Sequence, residues 1–420
     1  MWEVLQQDRF TRWVFAGACL FVLLMTRPQP TGHHDRARFA TVEALIDHGT
    51  WSIEPSRFDT IDKVQRHGKL YASKPPMMPA LMAGVYAMIK HSTGRTFGNA
   101  QWLVVKLLVV ICIGVPYLFF VLAWASFLNA VTDRRRWAYR FCLLAGAFGH
   151  YVFGYSIMAN NHTMAAVALF FAFYHQWMLD MGHRSSLWHL SAAGFFAGLA
   201  PTLELPAAVA SVGLFVAAVA RFGPRTTWNW FVPAAILPLS AHFVLNLIAT
   251  GGSLLPFYLI GDYHYPGSYW NNPMSFDTLN EPKLLYTFQF ILGHHGVLSL
   301  TPLWLFSLWG AWTSLRDPDS PWRPVALILS ASVLIAAPYF VFKTGNYGGG
   351  AHGFRWLFWL TPMWLLLLIP AAQKLRGRAM WSAAAAALAF SVFTALFVSH
   401  DPWGMSPLHM LFNRMGWIDY

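Results

Sequence analysis

The sequence predicts an all-α integral membrane protein, a bundle of about eleven transmembrane helices, or twelve if residues 75–90 also cross. Three observations carry this prediction. The 420 residues are 56% hydrophobic and only 11% charged, where a soluble chain carries about a quarter charged residues. Continuous apolar stretches recur along the whole chain, without the alternation that a β-barrel requires. Arginine and lysine gather at every second loop, as orientation in a bilayer demands. The net charge of +11 therefore reads as cytoplasmic arginines and not as a nucleic-acid surface.

The expected spans are 13–26, 100–127, 137–159, 163–180, 187–200, 203–221, 229–249, 297–314, 323–342, 354–371 and 380–399. Arg9 and Arg12 precede the first, and no small-residue cleavage site follows it, so it reads as an uncleaved signal anchor. Pro201 and Pro206 split the fifth span from the sixth. Arg134, Arg135 and Arg136 form one basic cluster. Arg184, then Arg221 and Arg225, then Arg316 and Arg323, then Lys374, Arg376 and Arg378 follow at alternate loops. This places the N-terminus in the cytoplasm and the C-terminus outside, in a plasma or inner membrane. "PPMMPALMAGVYAMIK" (75–90) is short and opens on two prolines. It is expected to lie at the outer surface as a juxtamembrane or re-entrant helix. The chain then reads as one integral domain, 1–420, with an outer loop at 27–99, a bundle at 100–399 and an outer tail at 400–420. A further outer loop spans 250–296. Cys19, Cys112 and Cys142 all fall in apolar stretches, so neither a disulfide framework nor a cysteine zinc site is expected.

Residues with chemical potential gather on the outer side. In "HHDRARFATVEALIDHG", Phe39, Val42 and Ile46 recur at helical spacing opposite Arg36, Glu43 and Asp47, which predicts a short interfacial helix. Asp35 is either the cap of that helix or a reacting acid. Arg38 is either a headgroup contact or a phosphate ligand. Lys74, stiffened by Pro75 and Pro76, is either a snorkelling lysine or a partner for phosphate. In "MANNHT", Asn160 and Asn161 can cap a helix or hold sugar hydroxyls, and His162 can serve as a general base. Glu204 sits at the break between two prolines, where an acid at membrane depth marks function. In "TGNYGGGAHGFRWLFWLTP" the glycines can form an anion nest, with Arg355 as a bidentate phosphate ligand and His352 beside it. "GDYHYPGSYWNNP", with Tyr265 at its centre, suits sugar stacking and an interfacial aromatic belt alike. His264, His294 and His295 are available imidazoles, but no carboxylate partner is fixed by spacing.

Asp35, Arg38-Phe39-Ala40, Gly49-x-Trp51 and Tyr71-x-x-Lys74-Pro75-Pro76 together resemble the first outer loop of the polytopic GT-C type glycosyltransferases. The resemblance is to the lipid A aminoarabinose transferases and protein O-mannosyltransferases, whose loop reads roughly D-E-x-R-Y-A-E, G-D-W, Y-F-E-K-P-P. It is good over about residues 30–200 and topological afterwards. It implies an enzyme that moves a sugar from a polyprenyl-phosphate donor to a lipid, glycan or protein acceptor on the outer face, by direct inverting displacement. It also implies Asp35 at the catalytic centre, and Arg38 and Lys74 on the carrier phosphate. The sequence departs from that pattern at Arg36, where an acid is usual. It departs at Ser73, where some relatives carry a metal-binding glutamate, and at Asn160-Asn161-His162, which replace a second outer acid. No nucleotide or redox cofactor is required, and a divalent metal is left open. A transporter or flippase of lipid-linked glycans, or a ligase-like polymer transferase, is the alternative reading.

Overall fold

The computed structural model describes residues 3–132, 137–181 and 187–420. Arg134, Arg135, Arg136 and Arg184, on which the orientation argument leans, lie outside the described residues. Helices occupy the apolar stretches in turn. Among the described residues, six helical stretches are long and apolar enough to cross a membrane: Phe97–Val131, Leu205–Phe222, Pro224–Thr250, Arg323–Lys343, Arg355–Lys374 and Gly377–Phe397. Arg9–Met25, Asn161–Asp180, Trp188–Leu203 and Leu303–Arg316 are further helices of the bundle.

Two expectations need correction. The span foreseen at 137–159 is a helix only over Trp137–Phe148. His150 then turns to extended backbone, and its ring accepts the amide of Phe153 to cap a short helical turn, Tyr151–Gly154. The architecture is also not purely helical. The first outer loop contains an antiparallel hairpin, β1 (Lys63–Arg66) and β2 (Lys69–Ala72). Its turn residues His67 and Gly68 both have positive φ, the geometry of the two-residue turns that match strand twist.

Packing follows from where the small residues lie. Helix Trp188–Leu203 lies between Asn161–Asp180 and Pro224–Thr250. A Cβ on Gly194 or Gly198 would stand 2.1 Å from the Phe231 carbonyl oxygen and 2.3 Å from that of Ala235. This one-turn glycine pair lets two backbones touch, which is how helices associate where lipid offers no hydrophobic drive. Helix Thr361–Lys374 is buried on all sides from Thr361 to Ala372, as a helix apolar all round must be. It forms the centre of the bundle.

The first outer loop carries two more helices. His33–Asp47 packs on Met77–Thr93. Asp47 ties them, accepting from the Tyr86 hydroxyl at 2.7 Å and pairing with Lys90 at 2.7 Å. Met77–Thr93 begins directly after Pro75-Pro76, where the missing proline amides cost nothing at a helix start.

Candidate active site

A cavity of about 1170 Å³ opens between the outer loop and the bundle. Five elements build it, and each delivers its charge for a local reason. The hairpin comes first. The register pairs Lys63 with Ala72, and the ladder is extended by the Ser73 amide donating to the Asp62 carbonyl at 2.9 Å. Asp62 and Lys74 therefore emerge side by side from the open end, with Lys74 Nζ 2.9 Å from Asp62 Oδ2. An edge contact locks the hairpin in place, where Gln65 and Asp262 exchange backbone hydrogen bonds of 2.8 and 2.9 Å.

Helix His33–Asp47 supplies His34 and Arg38. His34 Nδ1 lies 2.5 Å from Asp62 Oδ2. Arg38 donates to the His34 carbonyl at 2.5 Å and to the Asn161 side-chain oxygen. Asn161 in turn donates to the Leu203 carbonyl at 2.7 Å and to the Glu204 carboxylate. His162 Nδ1 stands 2.8 Å from the same Glu204 oxygen. The break at Glu204, extended in backbone and followed by Pro206, is what turns this acid inward.

The 344–354 loop delivers Arg355. Tyr347, Gly348 and Gly349 all have positive φ, a path that glycine permits. It brings the Gly348 carbonyl to Arg355 Nε at 2.7 Å. Arg355 also reaches His34 Nε2 at 3.1 Å and lies over the Trp403 ring at 5.4 Å. The expected anion nest is not free for a ligand, because the Gly348 and Gly349 amides bond to the side chain and carbonyl of Asn346. The glycines shape the seat of the arginine instead.

Burial and pairing set the charges. Burial lowers the His34 pKa to about 3, helped by the Arg355 charge, so this imidazole is neutral at physiological pH. Burial alone would push the Asp62 carboxyl up. Its His34 and Lys74 partners outweigh that and hold it well below the ordinary carboxylate range. Burial, then the neighbouring Arg355, lowers Arg38 to about 10, which leaves it charged near neutrality.

The sequence-predicted residues divide cleanly. Arg38, Lys74, Asn161, His162, Glu204 and Arg355 all line the cavity. Asp35 does not. Its carboxylate accepts the amides of Thr31 (2.7 Å), Gly32 (2.9 Å) and Arg36 (2.9 Å) and the Thr31 hydroxyl (3.1 Å). It is the third residue of its helix reaching back to the cap, as in a capping box. The cap residue is glycine because a Cβ on Gly32 would sit 2.4 Å from the Trp403 ring. Asn160 likewise caps helix Asn161–Asp180, accepting from the Thr163 amide at 2.8 Å. Tyr265 is buried away from the cavity, and the His352 ring bonds to the Asp401 carbonyl. Asp62 and His34 are cavity residues that sequence reasoning left unassigned, as are Asp277 and Asp401. The signal for Asp62 was the "RHGKL" turn, since recognising the hairpin puts Asp62 opposite Ser73 and so beside Lys74. Among the described residues no group of three or more His, Cys, Asp or Glu side chains is placed to hold a metal ion.

No family model and no curated protein matches this chain. Solved structures do. The apo form of ArnT from Cupriavidus metallidurans superposes with a TM-score of 0.54 at 14% identity, covering 90% of this chain and 62% of that one. The Archaeoglobus fulgidus oligosaccharyltransferase tethered to an acceptor peptide gives 0.52 at 13% identity, covering 98% of this chain and 57% of that one. The apo form of the same oligosaccharyltransferase gives 0.50 at 13%, covering 98% and 58%. The chain thus spans about three fifths of the length of these proteins. At these identities the likeness is one of fold: the chain shares its architecture with ArnT and with the oligosaccharyltransferase over nearly all of its length.

Proposed function

We propose that the protein is a membrane glycosyltransferase that moves a sugar from a polyprenyl-phosphate donor to an acceptor at the outer face of the membrane. The observation that carries this reading is the convergence of Arg38, Lys74 and Arg355, from three separate elements, on one cavity. Arg38 and Arg355 are buried, and Lys74 joins them with the carboxylates Asp62 and Glu204 in the same cavity. The guanidinium forks suit phosphate oxygens. Negative charge grows on the bridging oxygen as the sugar leaves, and fixed cations in a water-poor site stabilise it without reorganising.

The opposite wall supports a lipid tail. Leu205, Pro206 and Val209 face Ile335, Tyr339 and Phe340 across the same cavity, and Leu205, Ile335 and Tyr339 are exposed on the outside of the bundle. A polyprenyl chain leaving between these two helices would reach the bilayer. On this reading Asp62 and Glu204, and not Asp35, are the acids that face the sugar. Direct attack of an acceptor hydroxyl or amine would invert the anomeric carbon.

The test is release of polyprenyl phosphate from a panel of undecaprenyl-phosphate sugars by the purified protein, with membrane extract as acceptor. Lys74→Ala and Arg38→Ala should each lower turnover by roughly a hundredfold or more. No turnover with any sugar, or turnover indifferent to both variants, overturns the reading.

A further inference from the structure

The contacts around His34 settle its tautomer. A guanidinium can only donate, so His34 Nε2, 3.1 Å from Arg355, carries the lone pair. The ring proton is then on Nδ1, 2.5 Å from Asp62 Oδ2. The same Oδ2 pairs with Lys74 Nζ as an ion pair at 2.9 Å. Arg355, His34, Asp62 and Lys74 thus stand in one row of close polar contacts: a hydrogen bond from Arg355 to His34, then ion-pair contacts from His34 and Lys74 to Asp62, whose Oδ2 has no aligned hydrogen-bond donor. The two ends of the row are cations of the phosphate-binding set. A phosphate arriving among them competes with Asp62 for Lys74.

We propose that the donor phosphate takes Lys74 from Asp62, and that Asp62, then held by His34 alone, receives the proton of the acceptor. This rests on the glycosyltransferase reading and assigns the proton path within it. In the step, the acceptor oxygen or nitrogen forms a bond to the anomeric carbon while the bond from that carbon to the phosphate oxygen breaks. The bonding pair leaves on the lipid phosphate, and the acceptor's proton passes to the Asp62 carboxylate. His34 is a positioning residue that fixes the carboxylate while Lys74 is engaged elsewhere. The exchange makes Asp62 a better base at the moment the donor is in place. It loses an ammonium partner and gains a neighbouring anion, and both changes raise a carboxyl pKa. The charged and titratable groups that act on Asp62 are His34 and Arg38 from helix His33–Asp47, Lys74 beyond the hairpin, Arg355 from the glycine loop and Tyr263 from the 261–273 loop.

Binding of farnesyl methyl phosphodiester tests this, because the probe mimics the donor linkage and has no ionisation of its own near neutrality. Calorimetry at pH 5 in two buffers of different ionisation enthalpy counts the protons taken up. The expected result is net proton uptake on binding, because loss of the ammonium partner and arrival of an anion both raise the carboxyl pKa. Uptake should vanish in Asp62→Asn and persist in His34→Asn, whose amide nitrogen still donates toward Asp62. His34→Gln keeps a partner for Arg355 but loses the Nδ1 donor, and should move the uptake curve about one unit higher in pH. Failure of the probe to bind removes the glycosyltransferase reading and this inference with it. Binding without uptake, or uptake that survives Asp62→Asn, overturns the proton path alone. An uptake curve unmoved in His34→Gln removes the positioning role.

Discussion

Asp35→Ala separates a capping acid from a reacting one. In the structure the carboxylate holds two amides of the preceding turn, those of Thr31 and Gly32, together with the Thr31 hydroxyl. Losing a helix-start acceptor costs about 1 kcal/mol, and leaving partly buried donors unmade adds roughly another 1–2 kcal/mol. Burial works against the charged form, raising the Asp35 pKa despite the amide bonds, so the sum stays near 2–3 kcal/mol. For a chain of 420 residues that is a fall of about 3 °C in melting temperature, using an unfolding entropy of about 2 cal/mol/K per residue. The buried thiols of Cys112 and Cys142 give a convenient readout, since a thiol-reactive dye reports their exposure on heating in detergent. Phosphodiester binding should change less than threefold, because Asp35 does not line the cavity. A variant that melts like the wild type yet loses all transfer would refute this reasoning and restore Asp35 as the chemical acid.

Other perturbations follow from the same geometry. Gly198→Val forces a side chain into the Ala235 carbonyl and should lower the melting temperature more than Asp35→Ala does; equal stability would mean that the two helices are not in backbone contact. Lys74→Ala and Arg355→Ala should each weaken phosphodiester binding at least tenfold. The double variant should lose less than the product of the two, because the residues are coupled through the close polar contacts of His34 and Asp62; strict additivity in calorimetry would contradict that coupling. The folded pKa of Asp62 lies below its unfolded value of about 3.9. Its pairing therefore stabilises the fold fully above that pH and is lost as pH falls further through the folded pKa. Asp62→Asn should flatten the stability curve below about pH 4, and an unchanged acid limb would contradict the depressed pKa.

The membrane class was legible because apolar run length is nearly a direct readout of bilayer thickness. The cationic half of the site was legible too, since buried arginines and lysines near lipid need an anion and so advertise themselves. The acids were harder. Asp35 and Asp62 have the same side chain, and one residue at a helix start reads equally as cap or catalyst. The role of Asp62 depends on the hairpin register that puts it opposite Ser73 and beside Lys74, and no helical periodicity encodes that. Asn160 and Asn161 show the same split. One spends its oxygen on a helix amide and the other reaches Arg38 and Glu204, a difference that arises only once the helix start at Asn161 is fixed. The glycine loop looked like a nest because glycines free amides for ligands, but Asn346 two residues earlier claims those amides first.

The central claim is that one cavity grips a lipid phosphate with Arg38, Lys74 and Arg355. An experimental structure of the protein in nanodiscs with undecaprenyl phosphate tests it most directly. The account predicts phosphate density among the three cations, Lys74 turned from Asp62 toward it, and the isoprenoid chain passing between Leu205 and Tyr339. Phosphate density elsewhere on the protein, with the Lys74–Asp62 pair intact, would contradict it.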